Sequence, residues 1–351
     1  MKRSRERQTV EFDQINNIPI PAQNPLLFGH EGAGRFLGQM REEGRLHHAL
    51  LFEGAQGIGK ATLAFHLAWN ILSDNAKGFA EPDVSSSVWR KISRGVHPGL
   101  LHITRGFDPK TEKFRSAITI EEIRRISRFL QQTVAGHGWR VVIIDAAEDM
   151  NRNAANALLK TLEEPPVRTI FVLVSHAAGR LLPTIRSRCQ PLVFKPLAPD
   201  DMLRALPHIA GNIGFSADNP QSLDIIARAE GSVRQAISIL LSGGLEIAAA
   251  VESIVSNATL AVSDLHKLAT VLNGRDNEGQ YSYFLDYLSL LVAEKACKTA
   301  GSGDLLRAGA LSAFWQEMRQ DIVQAQAYNL DKKHFVLVIL QKVHAIMHKL
   351  S

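Results

Sequence analysis

The apolar residues in the first half of the chain fall into short uninterrupted runs, separated by stretches with helical spacing. The runs predict β-strands at Ala49–Phe52, Leu100–Ile103, Val141–Ile144, Thr169–Val174 and Leu192–Phe194. Runs that are almost wholly apolar, rather than alternating with polar residues, are typical of strands buried on both faces. Because helical segments lie between them, the pattern predicts an α/β domain in which helices flank a parallel sheet.

Two of the intervening helices carry boundary signals. Thr119 and Glu122 form a capping-box pattern ahead of apolar residues at helical spacing. A second helix, through Leu158, should end before Pro165, because a proline ring removes a backbone donor. The polar, proline-bearing stretch 8–28 predicts an extended lead-in.

The strand signal disappears after Leu197, and everything strongly patterned beyond it is helical. A chain of 351 residues is long enough for two or three domains. We expect an α/β domain over 1–196, a small helical domain over 197–244 and an all-helical domain over 245–351. Within the last, Gly301–Gly303 should separate two helices.

Charge and cysteine content give limited information about the ligands and the cellular compartment of the protein. The net charge of +5 permits contact with nucleic acid or nucleotide without requiring it. Two cysteines, Cys189 and Cys297, cannot form a disulfide framework, so we expect a reducing cytoplasm. There is no apolar run of about 18 residues, so the sequence predicts no membrane span.

A phosphate-binding loop is predicted at Gly54–Lys60, which fits G-x-x-x-x-G-K between a strand pattern and a helix pattern. Glycines let backbone N–H groups converge on an anion, and the lysine reaches the terminal phosphates. The predicted nucleotide-binding groups here are Gly54, Gly57, Gly59 and Lys60.

Two positions that ATP hydrolysis needs are occupied by alanine. Ala61 stands where a hydroxyl would bind Mg²⁺, and Thr62 lies about 100° further around the helix, a poor substitute. Asp145 ends an apolar strand in the manner of a Walker B aspartate. Ala146 follows where AAA+ ATPases carry a glutamate. We therefore expect weak or static binding without turnover, and it stays open whether ATP or ADP is bound.

Several segments resemble one family of AAA+ proteins, the clamp-loader subunits of bacterial DNA polymerase III. The resemblance is carried by Phe28–His30, Leu46–Phe52, Asn153–Pro166, Ser187–Cys189, Gly231–Arg234 and Asn329–Lys332. Within the family, gamma/tau-type subunits keep a full nucleotide site, whereas the delta-prime type keeps S-R-C and degrades its own site. Ala61 and Ala146 favour the delta-prime type.

The resemblance implies roles for particular residues and partners. Arg188 would be an arginine finger acting in a neighbouring subunit's site, while Ser175 and Arg234 would be sensors of nucleotide. The alternatives are that Ser175 caps the end of its strand and that Arg234 is a solvated helix residue. The two helical domains would be a lid and a collar that holds a ring with gamma/tau and delta subunits. The ring would act on the sliding clamp and primed DNA, as part of the DNA polymerase III holoenzyme.

Other interpretations follow from the same residues. The stretch 73–97 lacks the cysteines of the zinc module found in many relatives, so we expect no zinc. Cys189 is interpreted as a buried packing residue. A gamma-like subunit that hydrolyses ATP itself is the first alternative function, and a stand-alone P-loop kinase or small-molecule ATPase is the second.

Overall fold

The computed structural model describes residues 12–73, 78–109, 111–131, 138–217, 221–274, 277–328 and 330–349. The chain divides into two compact units. The first comprises Met1–Ser222 with Ala229–Arg234, and the second Leu223–Arg228 with Gln235–Ser351. The domain boundaries expected near 196 and 244 stay predictions.

The first unit contains a five-stranded sheet in which every pair of neighbouring strands is parallel. The strands of this unit are β1 (Ala49–Glu53), β2 (Leu100–Ile103), β3 (Phe107–Asp108), β4 (Lys113–Phe114), β5 (Arg140–Asp145), β6 (Thr169–Ser175) and β7 (Gln190–Val193). The order in the sheet is β2-β5-β6-β1-β7, and β3 and β4 form a separate antiparallel pair. The predicted parallel sheet is confirmed. The β3–β4 pair has no counterpart in the sequence prediction.

Alternation along β1 explains how one strand serves two cores. Leu50 and Phe52 belong to one buried cluster, and Ala49 and Leu51 belong to another. The first face is covered by α1 (Glu31–Glu42), α2 (Lys60–Leu72) and α3 (Ser87–Ser93), and the second by α4 (Ile120–Gln131), α5 (Arg152–Glu163) and α6 (Pro183–Arg186). Successive side chains of a strand point to opposite faces of the sheet. When helices cover both faces, every position of the strand is therefore buried and apolar.

The two outer strands depart from the expectation of full burial. β6 is buried throughout, whereas β2 is partly exposed at Leu100, Leu101 and His102. β7 alternates between half-buried and exposed positions and ends at Val193, which is 71% exposed. An edge strand has a neighbour on one side only, so its flanking helices cover it less completely.

The predicted helix boundaries hold at both signposted helices. Asn151 caps α5, because its side-chain oxygen accepts a hydrogen bond from the Ala154 N–H at 2.9 Å, and such a cap contributes about 1 kcal/mol. α5 ends at Glu163, ahead of Pro165 as predicted. At the start of α4 the Glu122 carboxylate accepts the Thr119 N–H at 2.8 Å, which is the reciprocal half of a capping box.

After β7 the described residues form helices and connecting loops, with no further strand. The helices are α7 (Pro199–Ala210), α8 (Gln221–Arg228), α9 (Val233–Leu241), α10 (Gly244–Ser256), α11 (Val262–Leu272), α12 (Glu278–Gly301), α13 (Leu305–Ala327) and α14 (Lys332–Lys349). The predicted helical C-terminal region is confirmed. The predicted break at Gly301–Gly303 lies between α12 and α13. Asn329 of the family-like segment lies outside the described residues, as do positions 8–11 of the predicted lead-in.

One polar cluster joins three helices of the second unit. Arg228 on α8 donates to the Glu252 carboxylate and to the Tyr287 hydroxyl, both at 3.0 Å. Tyr287 also hydrogen-bonds Glu252, and its ring stacks on Tyr283.

Among the described residues, no single helix is long and apolar enough to cross a membrane. The helices α9 and α10, bent by 83° at their break, meet the length and composition criteria only as a pair.

Candidate functional site

The predicted phosphate loop connects β1 to α2 in the first unit. β1 ends at Glu53 and α2 begins at Lys60, so the loop has the strand–loop–helix setting that a phosphate cradle needs. Gly57 and Gly59 have φ values of +76° and +103°, which only glycine adopts without strain. The glycines of the motif therefore stand where the turn requires them.

Lys60 is turned into its own loop. Its Nζ donates to the Gly54 carbonyl at 2.7 Å and also contacts the Ala55 carbonyl, and the residue is only 2% exposed. Burial lowers the pKa of Lys60 to about 8, and the nearby Asp145 carboxylate partly opposes that shift. The Lys60 side chain is thus hydrogen-bonded to carbonyls of its own loop.

A second segment braces the loop from the N-terminal side. His30, in the family-like stretch Phe28–His30, is 7% exposed, and its Nε2 lies 2.6 Å from the Ile58 carbonyl. Burial lowers the pKa of His30, so the imidazole is held neutral and can donate from Nε2. This hydrogen bond gives the N-terminal motif a physical role that sequence reasoning did not supply.

Ala61 and Thr62 occupy the first turn of α2. Thr62 is 8% exposed and lies on a different side of the helix from Ala61, about 100° away. A methyl group at position 61 offers no oxygen to a cation. That Thr62 is a poor magnesium ligand stays a prediction.

Asp145 lies at the carboxyl end of β5, beside the carboxyl end of β6, and β1 is the next strand beyond β6. Glu53 pairs with Ser175, and Asp145 pairs with Val174, so the strand ends of the predicted site meet at one edge of the sheet. Burial raises the pKa of Asp145 to about 7, and Lys60 partly offsets this shift. The carboxylate therefore gains stability from any cation that approaches it.

Ser175 closes β6 and has two predicted roles, contact with nucleotide or capping of the strand. It is fully buried, and its Oγ accepts the Ala177 N–H at 3.3 Å. The capping geometry is present. Contact with nucleotide stays a prediction.

Glu148 lies close in sequence to the position where the catalytic glutamate is missing. Ala146, at the predicted position of that glutamate, is buried, and Glu148 follows two residues later. Oε1 of Glu148 accepts the backbone N–H groups of His176 and Ala177 at 2.8 and 3.1 Å. Glu148 thereby ties the loop after β5 to the loop after β6 through Oε1, whereas its Oε2 is buried without a hydrogen-bond partner among the described residues.

Arg234 lies against the phosphate loop, and its side chain is paired with Asp13, a partner that the sequence did not predict. The sensor role of Arg234 stays a prediction. The Arg234 Nη2 lies 2.5 Å from a carboxylate oxygen of Asp13, and its Nη1 donates to the Asp13 carbonyl at 2.9 Å. The Val233 N–H donates to the Gly57 carbonyl at 3.0 Å. A Cβ on Gly57 would stand 2.3 Å from the Arg234 Cβ, so the two segments are in close contact.

Arg188 lies outside this cluster, in the link between α6 and β7. Its side chain is 34% exposed, and its Nη2 pairs with the Glu163 carboxylate at 2.5 Å. Its Nη1 donates to the Thr184 carbonyl at 2.8 Å. The neighbouring Cys189 is buried, and burial raises its thiol pKa to about 12, in agreement with a packing role.

The structure adds contacts that sequence reasoning missed. Arg105 forms a two-point ion pair with Asp149 at 2.6 and 2.5 Å, next to the loop after β5. No local pattern marks such pairs, because 44 positions separate the two residues. Within the described ranges, no group of three or more His, Cys, Asp or Glu side chains is placed to hold a metal ion. The expected absence of zinc remains a prediction, since residues 74–77 of the relevant stretch lie outside those ranges.

The chain is similar to subunits of DNA polymerase III. A family model described as "DNA polymerase III, delta subunit" matches residues 29–198. DNA polymerase III subunit delta' of Pseudomonas aeruginosa is 38% identical over 46% of this chain and 48% of that protein. The Bacillus subtilis subunit delta' is 39% identical over 45% of each chain, and the Escherichia coli subunit tau is 34% identical over 56% of this chain and 29% of that protein.

These similarities have limited extent. The chain spans about half the length of the delta' relatives that it matches. Among solved structures, a DNA polymerase III gamma subunit-related protein of Thermotoga maritima is 17% identical, with a TM-score of 0.42 over 89% of this chain and 99% of that one. The residues that match the family model, 29–198, include the sheet and the phosphate loop.

Proposed function

We propose that the chain, which is similar to subunits of DNA polymerase III, is a clamp-loader subunit of the delta-prime type that does not hydrolyse ATP itself. In this proposal it joins gamma/tau and delta subunits in a cytoplasmic ring that loads the sliding clamp onto primed DNA. Its chemical contribution is Arg188, offered to the nucleotide site of a neighbouring subunit. The observation that carries the proposal is that Arg188 is partly exposed while alanine occupies positions 61 and 146, where an ATPase needs a magnesium-binding hydroxyl and a glutamate.

Support for the absence of turnover comes from the groups around Asp145. Position 61 offers no magnesium-binding oxygen, and position 146 offers no carboxylate to activate water. Glu148 lies two positions further along the chain, and its Oε1 is bound to two backbone N–H groups.

Support for a donated finger comes from the geometry of Arg188. Guanidinium is permanently charged and presents five N–H donors in a fixed fork. One nitrogen is fixed by Glu163 and the other by the Thr184 carbonyl, so the group is oriented from within its own chain. The remaining donors and the exposed third of the side chain are available to a phosphate from outside.

The test is an assembled complex with gamma/tau and delta subunits that carries Arg188→Ala. A finger supplied by one subunit to another raises the rate at the receiving site by about 10³–10⁵. We therefore expect loss of the ATPase contribution from that site and slower clamp loading. Arg186→Ala, an exposed arginine on the same segment, is the matched control. Equal rates for Arg188→Ala and wild-type complexes would refute the finger role.

A gamma-like ATPase is the second candidate, favoured by the similarity to tau and gamma subunits at 34% and 32% identity. It differs from the first proposal in one property, turnover by the isolated chain. A magnesium-dependent ATPase rate that is abolished by Lys60→Ala in the purified chain would favour this candidate. No turnover above background supports the delta-prime type.

A further inference from the structure

Asp13 lies directly against the groups that the phosphate loop offers to a ligand. One carboxylate oxygen accepts from Nε2 of Gln56, a residue of the loop, at 2.9 Å. The other pairs with Arg234 at 2.5 Å, and the Asp13 backbone carbonyl takes a second hydrogen bond from the same guanidinium. A single residue thus engages both the loop and the predicted sensor arginine.

The position of Asp13 is fixed by its neighbour. The Phe12 ring packs edge-to-face against Phe114 of β4, with centroids 5.4 Å apart, and the Arg105 guanidinium lies 4.7 Å from its centroid. Arg105 is itself anchored to Asp149 through two hydrogen bonds. Asp13 has a φ of +69°, a left-handed conformation that aspartate tolerates at a turn. The anchored ring and the turn together direct the carboxylate toward the loop.

We propose that the Asp13 carboxylate is a built-in competitor of nucleotide phosphate, held on Gln56 and Arg234 by the Phe12 anchor. Carboxylate and phosphate bind guanidinium in the same way, through charge-assisted hydrogen bonds. A competitor on the same chain acts at a high effective concentration, so it does not need strong intrinsic affinity. The proposal rests on the proposed assignment of Gly54–Lys60 and Arg234 as nucleotide-binding groups.

The surrounding charges act in the same direction as the competitor. Burial is the main cause of the raised pKa of Asp145, and the nearby carboxylates of Asp13, Glu148 and Asp149 add to it by repulsion. The negative charge of an arriving polyphosphate would meet the same carboxylates. Lys60 partly offsets that repulsion, and its Nζ is hydrogen-bonded to the Gly54 and Ala55 carbonyls. A nucleotide therefore has to displace Asp13 and release Lys60 before it gains their interactions.

The experiment is a titration of the full chain with ATP and with ADP, with and without Mg²⁺, by isothermal calorimetry. We expect Asp13→Ala to lower the dissociation constant at least about tenfold relative to wild type. Asp13→Asn, which keeps the shape and removes the charge, should give a gain in the same direction and covers the case in which the alanine variant does not fold. Asp83→Asn, an exposed carboxylate bonded to Ser85, is the matched control and should match wild type.

A double variant tests whether the gain in affinity arises at the phosphate loop. Lys60→Ala added to Asp13→Ala should remove the gain, because the lysine belongs to the loop in question. The competitor role is overturned if the Asp13 variants bind no more tightly than wild type, if Asp83→Asn gains equally, or if the double variant keeps the gain. The outcome is independent of the Arg188 test in the assembled complex, so failure of this inference is distinguishable from failure of the proposed function.

Discussion

The Arg188 guanidinium pairs with the Glu163 carboxylate at 2.5 Å, so the last residue of α5 holds the side chain that follows α6. Both residues lie in segments that the sequence marks as family-like, Asn153–Pro166 and Ser187–Cys189. The contact connects two motifs that have no visible relation in the sequence. It also assigns Glu163 a role as a positioning residue for the proposed finger.

Removing Glu163 should weaken the finger without abolishing it. The pair is about half exposed, and such pairs contribute about 0–1 kcal/mol. We expect Glu163→Ala to lower the Arg188-dependent ATPase of the assembled complex by about two- to fivefold. Glu164→Ala, the adjacent exposed carboxylate, should leave the rate unchanged. A rate increase in Glu163→Ala would mean that Glu163 restrains the finger instead of orienting it.

The contact between Gly57 and the Ser232–Arg234 segment should be sensitive to a single methyl group. In Gly57→Ala the new Cβ would stand 2.3 Å from the Arg234 Cβ and 2.6 Å from the Ser232 Oγ, at a φ of +76°. We expect the free energy of unfolding to fall by roughly 2–4 kcal/mol, measured by urea denaturation with tryptophan fluorescence.

Gly44 provides the matched control for that experiment. Its φ is +66°, but a Cβ there would meet nothing within 4 Å. Gly44→Ala should therefore show the cost of the left-handed backbone alone, about 1 kcal/mol. Equal losses in the two variants would mean that the close approach at Gly57 contributes nothing to stability.

The sheet could be predicted from sequence because its signal is local. Val141–Ile144 is apolar at every position, and the structure buries the whole run between two layers of helices. The edge strands were harder to place. β7 runs from Gln190 to Val193, whereas the predicted run was Leu192–Phe194. An edge strand has only one neighbouring strand and is less buried, so its sequence contains fewer apolar residues that would mark its ends.

The partners of the candidate site residues could not be predicted, because they are distant in the sequence. The contact between Asp13 and Arg234 joins residues separated by 221 positions. Neither periodicity nor composition distinguishes Asp13 from other acidic residues of the chain. The motif identifies the loop, whereas the side chains that now contact the loop depend on how remote segments pack.

The buried histidine of α2 predicts a pH dependence of stability. His66 is fully buried, its Nε2 hydrogen-bonds the Asn24 carbonyl at 2.9 Å, and burial lowers its pKa to about 4. In the unfolded chain the pKa is about 6.5, so between pH 6.5 and 4 the unfolded state binds the extra proton. The stabilisation that the neutral, buried His66 gives to the folded state is therefore fully present above pH 6.5 and is lost as the pH falls toward 4.

The measurement compares wild type with His66→Gln, which keeps a donor for the Asn24 carbonyl. Between pH 7 and pH 5, wild type should lose on the order of 1–2 kcal/mol more unfolding free energy than the variant. The fluorescence signal suits the question, because the first unit contains Trp69, Trp89 and Trp139. Parallel pH profiles for the two proteins would show that His66 does not carry this dependence.

The two cysteines should differ sharply in reactivity. Cys189 is buried with its thiol pKa raised to about 12, whereas Cys297 on α12 is exposed. The thiolate is the reactive species, and at pH 8 roughly one Cys189 thiol in ten thousand would be ionised. Iodoacetamide should therefore modify one thiol per folded chain, and two per chain in urea. In Cys297→Ser the folded protein should resist alkylation, and rapid labelling of that variant would contradict the packing role assigned to Cys189.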